Sequence, residues 1–352
     1  MIPFYLLLGI PTVLCGFAYS KNRMRINNKI PLFVFFSIFI IMLSLRSVTC
    51  GIDLTVYRIK FETMKMPPLK SLLDFSLIEP GFDLYMAVCK SLCDDFQFFL
   101  AASAIASILP IMFLYVKESE HSLVSISLFV GIAPFTMFFS GLRQSIAMGI
   151  GAICYFCCKK NRFLLFLLFV FLAFLFHQSA IILLLMYPLM HIKLSRKYMV
   201  VVLILFVICL VLNDKIFEFL LSVSDRYESR YTISNTYSYK YLVLLLMLLF
   251  YAFLIPDDST EIIPLRNLLL LSLMIQCLAL VNNVAMRLNY YYLIFIPILI
   301  PKVIDGAKAE NKKTAKLSEC VFVIFFIAWF FKEAYFGANL LHAFPYTPFW
   351  KI

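Results

Sequence analysis

The chain has 352 residues, of which 63% are hydrophobic and 14% are charged, and its formal net charge is +11. Soluble domains carry about half apolar and about one quarter charged residues, so this composition excludes an ordinary soluble enzyme. No segment is long enough to build a basic soluble face, so nucleic acid is not an expected partner. Apolar blocks of roughly 17–20 residues, the length that crosses hydrocarbon as a helix, predict an all-α polytopic integral membrane protein.

About twelve apolar segments are predicted as transmembrane helices. The first has no basic region before it and no evident cleavage site, so it is predicted as a retained helix rather than a signal peptide. In chain order the predicted spans are 3–19, 30–46, 96–116, 122–139, 141–158, 162–176, 178–190, 198–213, 239–255, 266–283, 288–304 and 319–336.

The predicted orientation follows from lysine and arginine, which are enriched in the short cytoplasmic loops of membrane proteins. Placing the four basic clusters in the cytoplasm puts both termini on the outer side and requires an even number of spans. The stretch 162–190 is long for one helix and short for two. The even number of spans favours two short helices that form a hairpin, with His177 at its outer tip. The four clusters lie at 21–29, 159–162, 193–197 and 302–316.

Two outward segments, 47–95 and 214–238, are long enough to carry structure of their own. Within the first, residues 81–94 are apolar on one face but include Asp83 and Lys90, and parity forbids this segment to cross. It is predicted as an amphipathic helix that lies on the outer surface. No internal repeat or separate soluble domain is evident, so the whole chain, 1–352, is predicted as a single transmembrane domain.

Two ionisable residues interrupt apolar surroundings and give the strongest functional signal. Arg143 lies between two apolar runs, next to Gln144, and His177 interrupts another run, next to Gln178. An ionisable side chain near bilayer depth is costly unless it lines a wet cavity or has a partner. Both residues are therefore predicted to line a functional cavity, although His177 could instead be a hydrogen-bonded packing residue.

Isolated arginines lie at or near the predicted outer ends of helices. A guanidinium donates two parallel hydrogen bonds to a phosphate, so several arginines that converge would bind a diphosphate. Each could instead be an interfacial arginine whose charged end reaches the headgroups, an alternative that is weakest for Arg143. The four candidates are Arg46, Arg143, Arg230 and Arg287.

Three residues are rival candidates for the base that deprotonates a hydroxyl acceptor, namely His177, Asp53 and Glu79. Asp53 and Tyr57 are four residues apart and share a face of a helical turn. Glu79 precedes Pro80 and could also be a helix-capping acid favoured by the helix dipole. The sequence does not choose among the three.

The ordered set of short motifs resembles the EpsG-like branch of bacterial polysaccharide polymerases, which includes many Wzy-type O-antigen polymerases. The resemblance runs from about residue 46 to the end of the chain. Its last internal motif is Arg287 before a run of three tyrosines, of which Tyr291 could stack on a sugar or belong to an aromatic belt. The motifs are Gly51-x-Asp53-x-x-x-Tyr57, Glu79-Pro80-Gly81-Phe82, Ser140-Gly141-Leu142-Arg143-Gln144, Phe176-His177-Gln178-Ser179-Ala180, Arg287 with Tyr290-Tyr291-Tyr292, and His342-Ala343-Phe344-Pro345-Tyr346.

The resemblance implies a GT-C-like glycosyltransferase of the bacterial inner membrane, with the outer loops and both termini in the periplasm. Its donor and acceptor would be oligosaccharide repeat units linked to undecaprenyl diphosphate. The arginines would bind the donor diphosphate, so no metal or other cofactor is expected. A chain-length regulator of the Wzz type and a flippase would be partners besides the bilayer. The residues assigned to the sugar and acceptor are Tyr57, Gln144, Gln178 and Tyr291.

Three other functions fit the same composition. A transporter or flippase usually places polar residues near the midplane and often has two related halves, whereas here the polar residues favour the outer edge. A ligase that moves glycan from the same lipid to lipid A core would use a similar pocket, and only the motif set separates it from a polymerase. A non-catalytic assembly partner would not need Arg143 and His177 in apolar surroundings.

Overall fold

The computed structural model describes residues 1–20, 29–64, 79–132, 134–222, 238–254 and 261–351. Within these ranges the chain forms seventeen α-helices and no strand, and an isolated backbone bridge joins Arg46 to Pro348. A helix satisfies its backbone hydrogen bonds within one segment, which an apolar environment requires. The all-α prediction is therefore confirmed for the described part of the chain.

The helices follow the apolar segments of the sequence closely, with additional helices in the predicted outward segments. Among the described residues, Gln178–Leu185 and Phe349–Lys351 form 3-10 helices. The α-helices are α1 (Ile2–Ser20), α2 (Ile30–Ser44), α3 (Leu54–Thr63), α4 (Pro80–Leu92), α5 (Phe96–Glu118), α6 (Ser122–Gly131), α7 (Met137–Ser140), α8 (Leu142–Lys159), α9 (Phe163–Phe176), α10 (Met186–His191), α11 (Arg196–Val211), α12 (Asn213–Ser222), α13 (Ser238–Leu254), α14 (Ile262–Leu278), α15 (Asn283–Leu293), α16 (Ile296–Glu310) and α17 (Lys312–Phe336).

Two of the described helices, α5 and α17, are long and apolar enough to cross a membrane by length and composition. The number rises to four if α11 with α12, bent by 81°, and α15 with α16, bent by 43°, each count as one span. Seven more apolar helical segments contain 10–17 residues each. This repertoire of apolar helices is that of a membrane protein, while the count of about twelve spans stays a prediction.

Two predicted spans are broken near a proline. The predicted span 122–139 was wrong as one helix, because α6 ends at Gly131 and α7 begins at Met137. Pro134 lies between them, where it has no N–H to continue the helical ladder. The predicted span 288–304 divides between α15 and α16, and Pro297 lies in the first turn of α16, where an N–H would have no helical partner.

Two other boundaries differ from the prediction. The segment 178–190 begins as a 3-10 helix and becomes α-helical only at Met186. Part of the predicted outward loop 214–238 is helical, because α12 extends to Ser222. Residues 223–237 lie outside the described residues. In the first outward segment, α3 was not predicted, and α4 covers Pro80–Leu92 where the sequence predicted 81–94.

The described chain divides into two compact units, one of Met1–Leu184 with Leu317–Ile352 and one of Leu185–Lys316. In the first unit, α8 packs against α5 and α9. Gly149 allows the close approach of α5, since a Cβ there would lie 2.7 Å from the carbonyl oxygen of Ser107. In the second unit, α14 packs against α10, α11, α13 and α15.

Residues 45–53 form the turn between α2 and α3, and the C-terminal tail, residues 337–351, is bonded to this turn. Backbone hydrogen bonds join Ser47 N–H to the Thr347 carbonyl at 2.8 Å and Ile52 N–H to the Leu341 carbonyl at 3.3 Å. The Tyr346 hydroxyl also donates to the Met42 carbonyl at 3.0 Å. These contacts hold the turn that precedes Asp53.

Candidate functional site

Arg143 lies in the first turn of α8 and is the centre of an ionic cluster in the first unit. A cation is unfavourable at a helix N-terminus, so helix stability does not explain this arginine. Its Nε donates a hydrogen bond to the Tyr57 hydroxyl at 3.1 Å, and its Nη1 donates to Oε2 of Glu79. The side chain remains 39% exposed, and Nη2 makes no hydrogen bond to any residue of the described ranges. The guanidinium is therefore held along one side and accessible on another.

Glu79 joins Arg143 to His177 through its two carboxylate oxygens. Its side chain is 6% exposed, and its Oε1 lies 2.5 Å from Nδ1 of His177. An ionised carboxylate can only accept, so Nδ1 of His177 carries the proton and donates it. In the neutral ring, Nε2 then keeps a lone pair. We call Arg143, Glu79, His177 and Tyr57 the ionic cluster.

The approach of Glu79 to His177 depends on a glycine. Helix α9 ends at Phe176, and His177 adopts an extended conformation at φ −155° and ψ 119° before the 3-10 helix. Gly81, in the first turn of α4, packs against Leu175 at the end of α9, where an added Cβ would lie 2.8 Å from the Leu175 Cβ. The absence of a side chain at Gly81 therefore lets the start of α4 reach the end of α9.

Asp53 is held beside the cluster by Ser140. The Ser140 hydroxyl donates to Oδ2 of Asp53 at 2.8 Å and accepts from the Asp53 backbone N–H at 3.2 Å. One turn further on, the Tyr57 backbone N–H donates to the Asp53 carbonyl at 3.1 Å. The Tyr57 ring lies 5.5 Å from the ring of Phe82 and 5.7 Å from the Arg143 guanidinium carbon. Helices α3, α4 and α8 thus converge on one place.

Burial and the contacts within the cluster shift the pKa values of Glu79 and Tyr57. Burial alone would raise the pKa of the Glu79 carboxyl, but the hydrogen bonds from His177 and Arg143 and their electrostatic attraction for the carboxylate outweigh it and hold that pKa below its ordinary value. Glu79 is therefore ionised at neutral pH. Burial also raises the pKa of the Tyr57 phenol, which keeps its hydroxyl neutral beside Arg143.

The other predicted site residues have different surroundings or lie where their relation to the ionic cluster is not described. Arg46 is 1% exposed, lies where the tail is bonded to the 45–53 turn, and donates through Nη1 to the Leu43 carbonyl at 2.5 Å. Gln144 is 1% exposed, and Gln178 is half-buried beside His177. Arg287 and Tyr291 belong to the second unit, and Arg230 lies outside the described residues.

Two polar contacts were missed by reasoning from the sequence. Ser140 was noted only as a neighbour of Arg143, and its bond to Asp53 across 87 positions had no local signal. Arg266, in α14, is 3% exposed and donates through Nε to the Ala252 carbonyl at 2.9 Å. An arginine inside the apolar segment 262–278 is a visible signal of the kind that singled out Arg143.

The fold and the cluster together define a helical membrane protein with an arginine-centred polar site. The EpsG family model matches residues 29–348, nearly the whole chain, and this range contains every residue of the ionic cluster. The chain belongs to the EpsG family, whose members are Wzy-like polymerases. The resemblance carried by the short motifs is thereby confirmed. No curated protein and no solved structure matches the chain.

Proposed function

We propose that this protein is a polysaccharide polymerase that joins oligosaccharide repeat units linked to undecaprenyl diphosphate on the periplasmic face of the inner membrane. The observation that carries the proposal is the ionic cluster, in which Glu79 joins Arg143 to His177. A family of Wzy-like polymerases supports the polymerase role, and the apolar helices support a membrane location. The GT-C-like fold is part of this proposal.

Arg143 is the proposed ligand of the donor diphosphate. Tyr57 and Glu79 occupy Nε and one hydrogen of Nη1, which leaves Nη2 and the second Nη1 hydrogen for phosphate oxygens. Because these two partners fix the plane of the guanidinium, little reorganisation is needed when the diphosphate binds. Negative charge grows on the diphosphate as its bond to the anomeric carbon breaks. Arg143 stabilises that charge and so favours departure of undecaprenyl diphosphate.

His177 is the proposed base. Its Nδ1–H is bonded to Glu79, so Nε2 takes the proton of the acceptor hydroxyl as that oxygen attacks the anomeric carbon. Glu79 orients the ring and stabilises the imidazolium, as the carboxylate of a catalytic triad does. Glu79 is a weaker base itself, because its lowered pKa favours the ionised form. Inversion at the anomeric carbon is expected for this class of enzyme.

The sugar and partner assignments extend the same proposal. Tyr57 and Gln178 lie beside the residues that would hold the reacting groups and are the proposed contacts of the sugar. Both substrates reach the site from the bilayer, since each carries a polyisoprenyl chain. A Wzz-type chain-length regulator and a flippase are the proposed protein partners. Deletion of the gene would leave different surface polysaccharides if the protein were instead a ligase or a flippase.

The test is complementation of a deletion strain, followed by electrophoresis of the surface polysaccharide. We expect the deletion to leave a single repeat unit, the wild-type gene to restore the ladder, and Arg143→Ala to leave a single repeat unit although the protein is inserted. Arg58→Ala is the matched control, because Arg58 is a half-exposed arginine on α3 whose one ion pair among the described residues is with Glu62 on its own helix. Loss of all surface glycan in the deletion strain would indicate a ligase or flippase instead. A normal ladder from Arg143→Ala would overturn the proposed role of Arg143.

A further inference from the structure

Ser140 and Asp53 form a closed pair of hydrogen bonds between two separate elements. The serine hydroxyl donates to Oδ2 of Asp53 at 2.8 Å while it accepts from the Asp53 backbone N–H at 3.2 Å. The serine is fully buried, at 0% exposure. The hydroxyl therefore uses both its donor hydrogen and an acceptor lone pair on a single residue, Asp53. Ser140 therefore fixes both the backbone and the carboxylate of Asp53.

The turn that carries Asp53 is held from two sides. Gly51 has φ of 142°, which L side chains rarely adopt, and a Cβ there would lie 2.1 Å from the Phe139 carbonyl oxygen. On another side, the tail is bonded to the same turn through Ile52 N–H and the Leu341 carbonyl, at 3.3 Å. These contacts are sufficient to form the turn without the Ser140 hydroxyl. The role of the hydroxyl is therefore to orient the Asp53 carboxylate.

One carboxylate oxygen of Asp53, Oδ1, is not used by the hydrogen bond from Ser140. Its Oδ1 makes no hydrogen bond to the residues that the structure describes, and the side chain is half-buried rather than enclosed. Tyr57 follows one turn later on α3 and is bonded to Arg143, so Asp53 lies beside the ionic cluster. A carboxylate in such a place accepts hydrogen bonds from sugar hydroxyls.

We propose that Ser140 is a positioning residue that fixes the Asp53 carboxylate so that its Oδ1 binds a hydroxyl of the acceptor sugar. The inference rests on the proposed polymerase function, because an acceptor sugar is needed for it. Asp53 holds the acceptor, and His177 removes the proton of the attacking hydroxyl. Ser140 touches no substrate and acts through Asp53 alone.

The experiment is a double-mutant cycle on the purified full-length protein. The substrate is the lipid-linked single repeat unit extracted from the deletion strain, and the variants are Ser140→Ala, Asp53→Asn and the two combined. We expect kcat/KM to fall about 10-fold for Ser140→Ala and about 100-fold for Asp53→Asn, as when a hydrogen bond to a charged group is removed. The double variant should match Asp53→Asn within about 2-fold, since residues that act as a unit are not additive.

Two further variants separate positioning from folding. Ser127→Ala removes another fully buried serine hydroxyl, one that donates only to the Val124 carbonyl of its own helix, and should keep wild-type activity. Ser140→Cys nearly preserves volume but bonds weakly, so it should lose activity while the melting temperature in detergent stays close to wild type. Full activity of Ser140→Cys, or additive losses in the cycle, would overturn the inference alone. A wild-type protein that makes no polymer would overturn the proposed function, and the inference with it.

Discussion

A buried group of polar side chains in the second unit is built differently from the ionic cluster of the first unit. In the second unit, the Ser272 hydroxyl donates to Oδ1 of Asn289 at 2.6 Å, and Nδ2 of Asn289 donates to Oε1 of Gln276 at 3.0 Å. All three are fully buried, at 0% exposure. We call them the amide cluster. Their polar atoms bond to one another, which is how a buried network stabilises a fold.

The ionic cluster of the first unit keeps bonding capacity for a ligand. Arg143 is 39% exposed and His177 16% exposed, and Nη2 of the arginine and Nε2 of the histidine bond to none of the described residues. Both clusters meet the cost of polar groups in apolar surroundings by pairing. Only the ionic cluster combines charge, exposure and unoccupied bonding positions. The comparison separates a neutral network that is fully buried from a charged cluster that is partly exposed and keeps bonding positions open.

The largest effect is expected from Glu79→Gln, which removes the charge between Arg143 and His177. The amide can accept from Arg143 or His177, but it cannot stabilise an imidazolium as a carboxylate does. We therefore expect the polymerisation rate to fall by about 10⁴-fold, as when the carboxylate of a catalytic triad is made neutral. The measurement is the initial rate on the extracted lipid-linked repeat unit.

A matched control for that prediction is Glu62→Gln. Glu62 is 54% exposed and pairs with Arg58 one turn away on α3, so its loss should leave the rate unchanged. If Glu79→Gln kept more than a tenth of the wild-type rate, the ionic cluster would be no more functional than the amide cluster.

A substitution in the amide cluster should lower the stability of the protein and leave its polymerisation rate unchanged. Asn289→Leu leaves the Ser272 hydroxyl and the Gln276 amide without their partner in α15, which costs about 1–3 kcal/mol of unfolding free energy. Melting of the purified protein in detergent measures this loss. The rate per folded molecule should equal that of the wild type. A large drop in that rate would show that the second unit also contributes to the reaction.

Much of the fold could be predicted from the sequence because apolar length is a strong signal for helices. The breaks were less visible, although Pro134 and Pro297 marked two of them. The site was predicted one residue at a time. Glu79 and His177 are 98 positions apart, and their contact depends on the close approach at Gly81, which no local pattern reveals.

Two of the arginines that were predicted to converge, Arg46 and Arg143, differ in their contacts for a physical reason. Arg46 and Arg143 look alike in sequence, each next to an apolar run. The tail is bonded to the turn that begins beside Arg46, through Ser47 N–H and the Thr347 carbonyl, a contact between distant segments that periodicity cannot anticipate. The contact of Ser140 with Asp53, 87 positions away, is likewise invisible to local patterns. Residue types predicted the chemistry of the proposed site, and tertiary contacts determine which of these residues touch one another.

A smaller effect is expected from Tyr57→Phe, which removes only the hydroxyl that accepts from Nε of Arg143 at 3.1 Å. The ring would keep its contact with Phe82 and its place 5.7 Å from the guanidinium carbon, so the fold should not change. Glu79 would still hold Nη1. We expect a loss of about 10-fold in kcat/KM, typical of one hydrogen bond to a charged group. The control is Tyr85→Phe, which removes the hydroxyl of a half-buried tyrosine outside the ionic cluster and should be close to wild type.

The smallest effect concerns acid pH. The pKa of Glu79 is lowered in the folded protein, so its pairing contributes stability that is fully present above its ordinary pKa of about 4.3. That contribution decreases as pH falls below this value and is gone once pH has fallen through the lower, folded pKa. The stability difference between wild type and Glu79→Gln should therefore shrink as pH falls below about 4.3. Asn289→Leu titrates no group, so its difference from wild type should not change over this range. Melting in detergent at each pH measures both differences. If the difference for Glu79→Gln were as constant with pH as that for Asn289→Leu, the pairing of Glu79 would not be what lowers its pKa.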